Sequence, residues 1–484
     1  MWKKQAEALG FAVKRVDRGK GVCLYMEMGT GKTRVAIHLL EHLFRKHHAR
    51  LIYVAAPLSA LHVWVENWHE WGTAPVAFID LHESGSAGLR LAKRLAADGF
   101  PVICLVNYEA AWQIGYKRIP RRRRGETVRV LEKVDTAMQD LKWDVGILDE
   151  STAIKTPGSK VSKFFRRKLA PRSTYRIVMT GSAYTKRPLD VWAQINFACG
   201  DEVFPPVFLP FKSVYAIPHP YIRGAVLGYH NLGDLVRKMS KVAVMLKKSD
   251  VLDLPPAVHE TRLIELSAKS RKIYDDLVEQ TIAELDAQTT VSADHVFTSI
   301  RKLMQITGGF VYPDPDEDTP DIKPDPVRLS TEKLDVLMEI LEERDSPTVI
   351  VTQFDEEERI IAAAIRKRFG FTPKVLNGSV KGAEARHKMI QAAAEDLAFI
   401  VKERVGAKGV DMRFADMIVF FSHSYDTERY EQMLARNHRG GQTKNITYIH
   451  LLCKNTIDMK IMRALERDLS LAASIEHDWR ALFA

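Results

Sequence analysis

The chain has 484 residues, of which 46% are hydrophobic and 27% charged, with 71 basic and 61 acidic side chains and a net charge of +10. These are the proportions of an ordinary soluble globular protein, long enough for two or three domains with substantial cores. No apolar run approaches the ~20 residues of a membrane span, and the start, MWKKQAEALG, lacks the apolar centre of a signal peptide.

Cys23, Cys104, Cys199 and Cys453 show neither metal-ligand nor CxxC spacing, which predicts free thiols in a reducing, cytoplasmic compartment. The positive charge is uneven. Residues 1–250 hold 40 basic and 22 acidic side chains, a balance of +18, whereas residues 251–484 hold 31 and 39, a balance of −8. Such asymmetry predicts that the first half faces a polyanion.

Apolar β-type runs alternate with helical patterns through both halves. In chain order the first half gives GVCLYM, LIYVAAP, PVICLVN, DVGILDE and RIVMTGS; the second gives PTVIVTQF, PKVLNG, LAFIVKE, DMIVFFS and ITYIHLL. Five such runs in each half predict two α/β lobes with parallel sheets, residues 1–250 and 251–484. Residues 200–310 read as mostly helical connectors, broken by FPPVFLPF and LDLPPAV, and the acidic, proline-rich 313–326 reads as a loop.

MEMGTGKT, residues 26–33, follows the first run and precedes RVAIHLLEHLF, whose Val35, Leu39, Leu40 and Leu43 have helical spacing. Strand, glycine turn and helix are the setting of a phosphate-binding loop, with Met26 where the strict pattern has Gly. Backbone amides from Met28 through Gly29, Thr30 and Gly31 point at the phosphates, Lys32 pairs with the β- and γ-phosphates of ATP, and the Thr33 hydroxyl ligates Mg²⁺.

The run DVGILDE delivers Asp149 and Glu150 at a strand's C-terminal end, where open α/β sheets bind ligands. Asp149 is the expected Mg²⁺ ligand and Glu150 the expected base for the attacking water. In QMLARNHRGGQ, Gln432, Arg436 and Arg439 fall on one helical face, and arginines from a second lobe can stabilise charge developing on the γ-phosphate.

From Gln5 to about Leu465 the chain resembles the Swi/Snf-type family of DNA-dependent translocases in helicase superfamily two. Its motifs come in the family's order. Gln5 resembles the glutamine that reads adenine, APLSALHVWVENW with Ser59 and VNYEAAW resemble DNA-contacting motifs, and DESTAIKT matches the acidic box, extended by Lys155. MTGSAY resembles the coupling motif, with Thr180, Gly181 and Ser182, and LKKSDVLDLPP resembles the junction between lobes. VGAKGVDM, with Gly406, Lys408 and Gly409, and ARNHRGGQ resemble the last two motifs.

The resemblance implies two RecA-like lobes with helical insertions, ATP–Mg²⁺ as cofactor, and tracking along double-stranded DNA without strand separation. The rivals are a strand-separating DNA or RNA helicase and a nucleotide-switched clamp. Thr152, Ala183 and Asp411 depart from the family's pattern, and Asp411 is expected to touch nucleotide. The compact form suggests a phage or bacterial version.

Trp64, Trp68 and Trp71 share a helical stripe that reads as core packing. His38 and His42 lie four apart but read as a solvated face, with no third ligand evident. KRIPRRRRGETVRV, 117–130, reads either as a solvated loop or as a duplex-backbone contact through Arg121, Arg122, Arg123 and Arg124.

Overall fold

The computed structural model describes residues 1–123, 126–181, 188–218, 226–251, 255–286, 293–313, 324–380, 383–394, 396–407, 410–438, 440 and 442–467, with the backbone alone for 59, 118–123, 126–131, 285–286, 293–295, 383–384 and 387. The chain divides into two compact units, Met1–Asp253 and Leu254–Ala484.

The first unit contains β1 (Val22–Met26), β2 (Leu51–Ala56), β3 (Ala77–Asp80), β4 (Val102–Asn107), a hairpin of β5 (Tyr116–Arg123) and β6 (Glu126–Lys133), β7 (Trp143–Asp149), β8 (Ser173–Thr180), a second hairpin of β9 (Ala216–Pro218) and β10 (Val226–Tyr229), and β11 (Ala243–Leu246). Seven of these strands form one all-parallel sheet in the order β11-β1-β8-β7-β2-β4-β3. Both faces are covered, so the central strands are apolar on both sides. Along β1, Val22, Leu24 and Met26 enter the layer shared with the helices Lys3–Val16, Lys32–Lys46 and Leu61–Trp71, while Cys23 and Tyr25 enter the opposite layer around Phe165 and Trp192.

The second unit repeats the plan. Its sheet orders β12 (Ala257–Ile264), β19 (Ile446–Cys453), β18 (Met417–Phe420), β15 (Thr348–Thr352), β17 (Ala398–Lys402) and β16 (Lys374–Leu376), again all parallel, and a short antiparallel pair, β13 (Phe310–Val311) with β14 (Val327–Arg328), stands apart. Both sheets are therefore α/β and parallel, as the alternating runs require.

Three sheet strands were not legible in those runs. β3, β11 and β12 are all outermost strands, and β11 and β12 lie within the segment expected to be mostly helical. The helices Phe208–Tyr215, Leu232–Met239, Ala268–Asp286 and Ala293–Thr307 do form there. β12 is exposed over most of its length, with only Ile264 buried, so backbone pairing along β19 rather than side-chain pattern makes it a strand.

Within the arginine-rich 117–130, the residues described pair as two antiparallel strands, with Arg121 opposite Val128 and Arg123 opposite Glu126. Most of the acidic 313–326 lies outside the described residues. All four cysteines are buried and unpaired. Among the described residues no helix is long and apolar enough to cross a membrane.

Candidate active site

The sheet order explains why residues far apart in sequence meet. β8 lies between β1 and β7, and β2 and β4 follow on the far side of β7. The C-terminal ends of all five therefore sit side by side, which is where an open parallel sheet leaves a crevice.

After β1 the chain turns tightly. Thr30 sends both its amide and its hydroxyl to the Glu27 carbonyl, at 3.2 and 2.7 Å. Gly29 and Gly31 have φ of 83° and 85°, the left-handed region that side chains disfavour, and Gly31 caps the helix Lys32–Lys46. Lys32 and Thr33 open that helix, and the Lys32 side chain is only 10% exposed. Gln5, 2% exposed, donates its amide to the Thr30 carbonyl at 3.0 Å and accepts from the Trp2 amide at 3.0 Å. In this arrangement the residue expected to read adenine supports the loop itself.

β7 carries Asp149 to its last position, and the next residue, Glu150, adopts φ 51° and ψ 56°. A left-handed non-glycine corner costs on the order of 1–3 kcal/mol and is a mark of functional sites. Here the corner sets Glu150 between two motifs. Its Oε2 accepts the Thr180 hydroxyl at 3.1 Å, and its Oε1 lies 3.7 Å from Lys32 Nζ. Gly181 is closely approached, since a Cβ there would stand 3.1 Å from Met28 Cγ, 3.2 Å from its amide nitrogen and 3.3 Å from Lys32 Nζ, so that a side chain would press on the loop.

The Asp149 carboxylate is fixed at both oxygens. Trp64 Nε1 donates to Oδ2 at 2.9 Å and the Glu150 amide donates to Oδ1 at 3.0 Å, while the Tyr108 hydroxyl donates to the Asp149 carbonyl at 2.8 Å. Burial, and after it the neighbouring Glu150 charge, push the Asp149 pKa up to about 6, against the opposing pull of Lys32 and Trp64. A buried carboxylate with this little compensation, beside a second carboxylate, fits a hard divalent cation such as Mg²⁺, with lone pairs still open on both oxygens.

The tryptophan stripe is thus more than packing. Trp64 and Trp68 are buried, at 1% and 4% exposure, but the Trp64 N–H serves the candidate metal ligand. The signal was present in the sequence, since a buried indole needs an acceptor. The histidine face is also not simply solvated. His38 meets Glu41 at 3.3 Å, whereas His42 joins His47 on Asp17 Oδ1, at 2.7 and 2.8 Å, and Lys46 takes Oδ2 at 2.6 Å.

The expected residues of the second unit cluster around the helix Thr427–Asn437. Arg436 gives Nε and Nη2 to the Ala407 carbonyl, at 3.1 and 2.6 Å, and Gln432 reaches Glu428 at 3.5 Å. Asp411 is held by the Arg413 guanidinium, with contacts of 2.6 to 3.0 Å. Gly406 is buried, and a Cβ there would come within 3.0 Å of Val401, Met433 and Met412, so close packing accounts for the glycine.

A cleft of about 580 Å³ opens at the ends of β15, β16 and β17, lined by Ser379, Arg386, Lys402 and Arg404 among others, a basic lining that the sequence reading passed over. Ser182, Lys408, Gly409, Arg439 and Arg124 lie outside the described residues. Lys155 follows the short helical turn Ser151–Ile154 after Glu150.

A glycine loop at a parallel strand's end, facing an acidic pair two strands away, defines a phosphate-loop α/β nucleotide hydrolase. The SNF2-related domain model matches residues 4–308 and the helicase conserved C-terminal domain model matches residues 332–441. The chain belongs to the SNF2-related family, the Swi/Snf-type helicase-like ATPases of superfamily two.

It is similar to human chromodomain-helicase-DNA-binding protein 1, 23% identical over 96% of this chain and 26% of that protein. It is also similar to the human SWI/SNF-related matrix-associated actin-dependent regulator of chromatin subfamily A member 1, 23% identical over 99% of this chain and 44% of that protein. The chain thus spans less than half the length of these curated relatives. The Sulfolobus solfataricus SWI2/SNF2 ATPase core in complex with dsDNA matches with a TM-score of 0.43 and 22% identity, over 99% of this chain and 94% of that one.

Proposed function

We propose that the chain couples Mg²⁺-dependent ATP hydrolysis to movement along double-stranded DNA. The observation that carries this reading is the convergence of Lys32, Asp149, Glu150 and Thr180 at adjacent strand ends, next to the two segments that resemble DNA-contacting motifs.

Lys32 supplies positive charge to the β- and γ-phosphates, and the amides of Met28 to Gly31 cradle them. Thr33 and Asp149 would hold Mg²⁺, and the ion would supply positive charge to offset that of the phosphates. Glu150, oriented by the Thr180 hydroxyl, takes the proton of the attacking water. Thr180 at the end of β8 bonds the base, and Gly181 beside it lies against Met28 and Lys32 of the loop, so that a shift of β8 is felt at the water. Arg436 and Arg439 stabilise charge developing on the γ-phosphate in the transition state.

DNA as the track is supported by the relatives' own names, as a DNA-binding protein and a regulator of chromatin, and by the +18 balance of residues 1–250. Ser59, Lys155 and Arg121 to Arg124 in the first unit, with Gly406, Lys408 and Gly409 in the second, are the proposed backbone contacts. A motor following an intact duplex reads phosphates rather than bases, so stimulation is independent of sequence and sensitive to salt.

An ATPase assay with no nucleic acid, single strand, duplex and RNA tests the reading. Duplex should stimulate most, and the protein should displace the third strand of a triplex without opening a forked duplex. Stimulation by single strand or RNA alone, or efficient fork opening, replaces this reading with a strand-separating helicase.

A further inference from the structure

Two aromatic side chains converge on Asp149 from the segments expected to face DNA. Trp64 lies one helical turn after the short turn Leu58–Ala60, at the start of the helix Leu61–Trp71, and Tyr108 follows directly on β4. Trp64 sends its indole N–H to Asp149 Oδ2 at 2.9 Å, and Tyr108 sends its hydroxyl to the Asp149 carbonyl at 2.8 Å. The sheet order makes this possible, because β2 is the neighbour of β7 and β4 the neighbour of β2.

We propose that Trp64 is a positioning residue that holds the Asp149 carboxylate in its cation-binding orientation and makes that hold depend on the DNA-facing turn Pro57–Ala60. This inference rests on the reading of the site as an ATP–Mg²⁺ centre next to a DNA contact.

The physical reasons are specific. Asp149 Oδ1 is fixed by the Glu150 amide and Oδ2 by Trp64, so losing the indole leaves one donor, and the carboxylate is free to turn about that bond. Trp64 is 1% exposed, so water cannot replace the lost donor. The indole ring has two side-chain torsions and belongs to the close-packed buried layer between the sheet and its helices, so it moves with its helix rather than independently. The helix begins where the turn ends, and a displacement of the turn by bound phosphate therefore reaches Oδ2 through one rigid body. Tyr108 restrains the backbone of the same residue, and the two contacts together fix side chain and main chain.

Mn²⁺ in place of Mg²⁺ gives a readout other than turnover. The occupancy of Mn²⁺–ADP on the full chain is titrated by electron paramagnetic resonance, with and without a 20-base-pair duplex, for the wild type and Trp64→Phe. ADP binding in EDTA and thermal melting are measured on the same samples. The expected result is a roughly tenfold weaker Mn²⁺ affinity in Trp64→Phe, the scale of one lost hydrogen bond to a charged group. The tightening that the duplex produces in the wild type should be lost, with ADP binding in EDTA unchanged.

Should Trp64→Phe melt early, benzothienylalanine introduced at position 64 keeps the ring's shape and replaces the N–H with sulfur, and the same shifts are expected. Mn²⁺ affinity and duplex response within about twofold of the wild type, in whichever variant melts normally, would overturn the inference and leave the ATP site standing. A wild-type chain that binds neither ADP nor Mn²⁺–ADP overturns the nucleotide reading, and this inference with it.

Discussion

The ammonium of Lys32 lies 3.7 Å from Glu150 Oε1, joining the loop after β1 to the corner after β7 across the intervening strand β8. Each side chain balances the other's charge in a shielded site. A triphosphate would draw Lys32 to itself and release Glu150 to a water molecule, which is the exchange a hydrolytic site needs. Glu150→Gln is therefore expected to keep ATP affinity while turnover falls by at least ~100-fold, the scale of general-base removal. Lys32→Ala is expected to lose both. Filter binding of ATP beside a steady-state phosphate assay separates the two, and rapid turnover by Glu150→Gln would place the base elsewhere.

Thr180 is buried, and its hydroxyl is 3.1 Å from Glu150 Oε2. Thr180→Val keeps the shape and removes the donor, so the base loses one of its two orienting contacts. ATP affinity is expected to hold while kcat falls by about tenfold, in line with the loss of one hydrogen bond to a charged acceptor. An unchanged kcat would show that the corner's backbone alone orients Glu150.

Asp149 is held at a pKa of about 6, against an ordinary 3.8, chiefly by burial. Between those values the folded protein keeps the proton while the unfolded chain releases it. Stability in the nucleotide-free state should therefore fall as pH rises from about 4 to about 6, and the cost is fully present above that. Asp149→Asn removes the buried charge but puts an NH2 group against one of the two donors, the Trp64 indole or the Glu150 amide, so stability at pH 7.5 is expected to rise by no more than about 1–2 kcal/mol while turnover is abolished. A lower melting temperature for nucleotide-free Asp149→Asn would mean that the lost acceptor outweighs the relieved charge.

Strand β5 ends in the arginine run of the sequence, Arg121 to Arg124. Replacing Arg121 to Arg124 with alanine is expected to weaken duplex binding and to flatten its dependence on salt by up to about four phosphate contacts, leaving ATP hydrolysis without DNA intact. Binding isotherms from 50 to 300 mM salt, a range chosen because each contact changes affinity severalfold across it, provide the check. An unchanged slope would make the hairpin a solvated surface.

Composition, periodicity and motif order were enough to read two parallel α/β sheets, the glycine turn between strand and helix, and the acidic pair at a strand's end, because these depend on local rules. A buried central strand must be apolar, a left-handed turn position calls for glycine, and a strand's end delivers whatever residues follow it. Strands such as β12 escaped, since an exposed outer strand takes its identity from the neighbour it pairs with and carries little pattern of its own. The strand pairing within the arginine run went unread for a related reason, in that it is defined by the cross-strand partner rather than by side-chain pattern. Sequence spacing placed Trp64 on a core stripe, and only the sheet order, by setting β2 beside β7, turned its N–H toward Asp149. Likewise Gln5 and Thr30 are 25 positions apart and Thr180 and Glu150 are 30 apart, so their hydrogen bonds could not be read before the chain was folded. The sequence by itself determined which chemical groups the site contains, because each belongs to a short segment with its own local geometry. The tertiary structure decided which groups touch, because contact depends on the order of strands in the sheet, and that order is set by how whole layers bury their apolar faces.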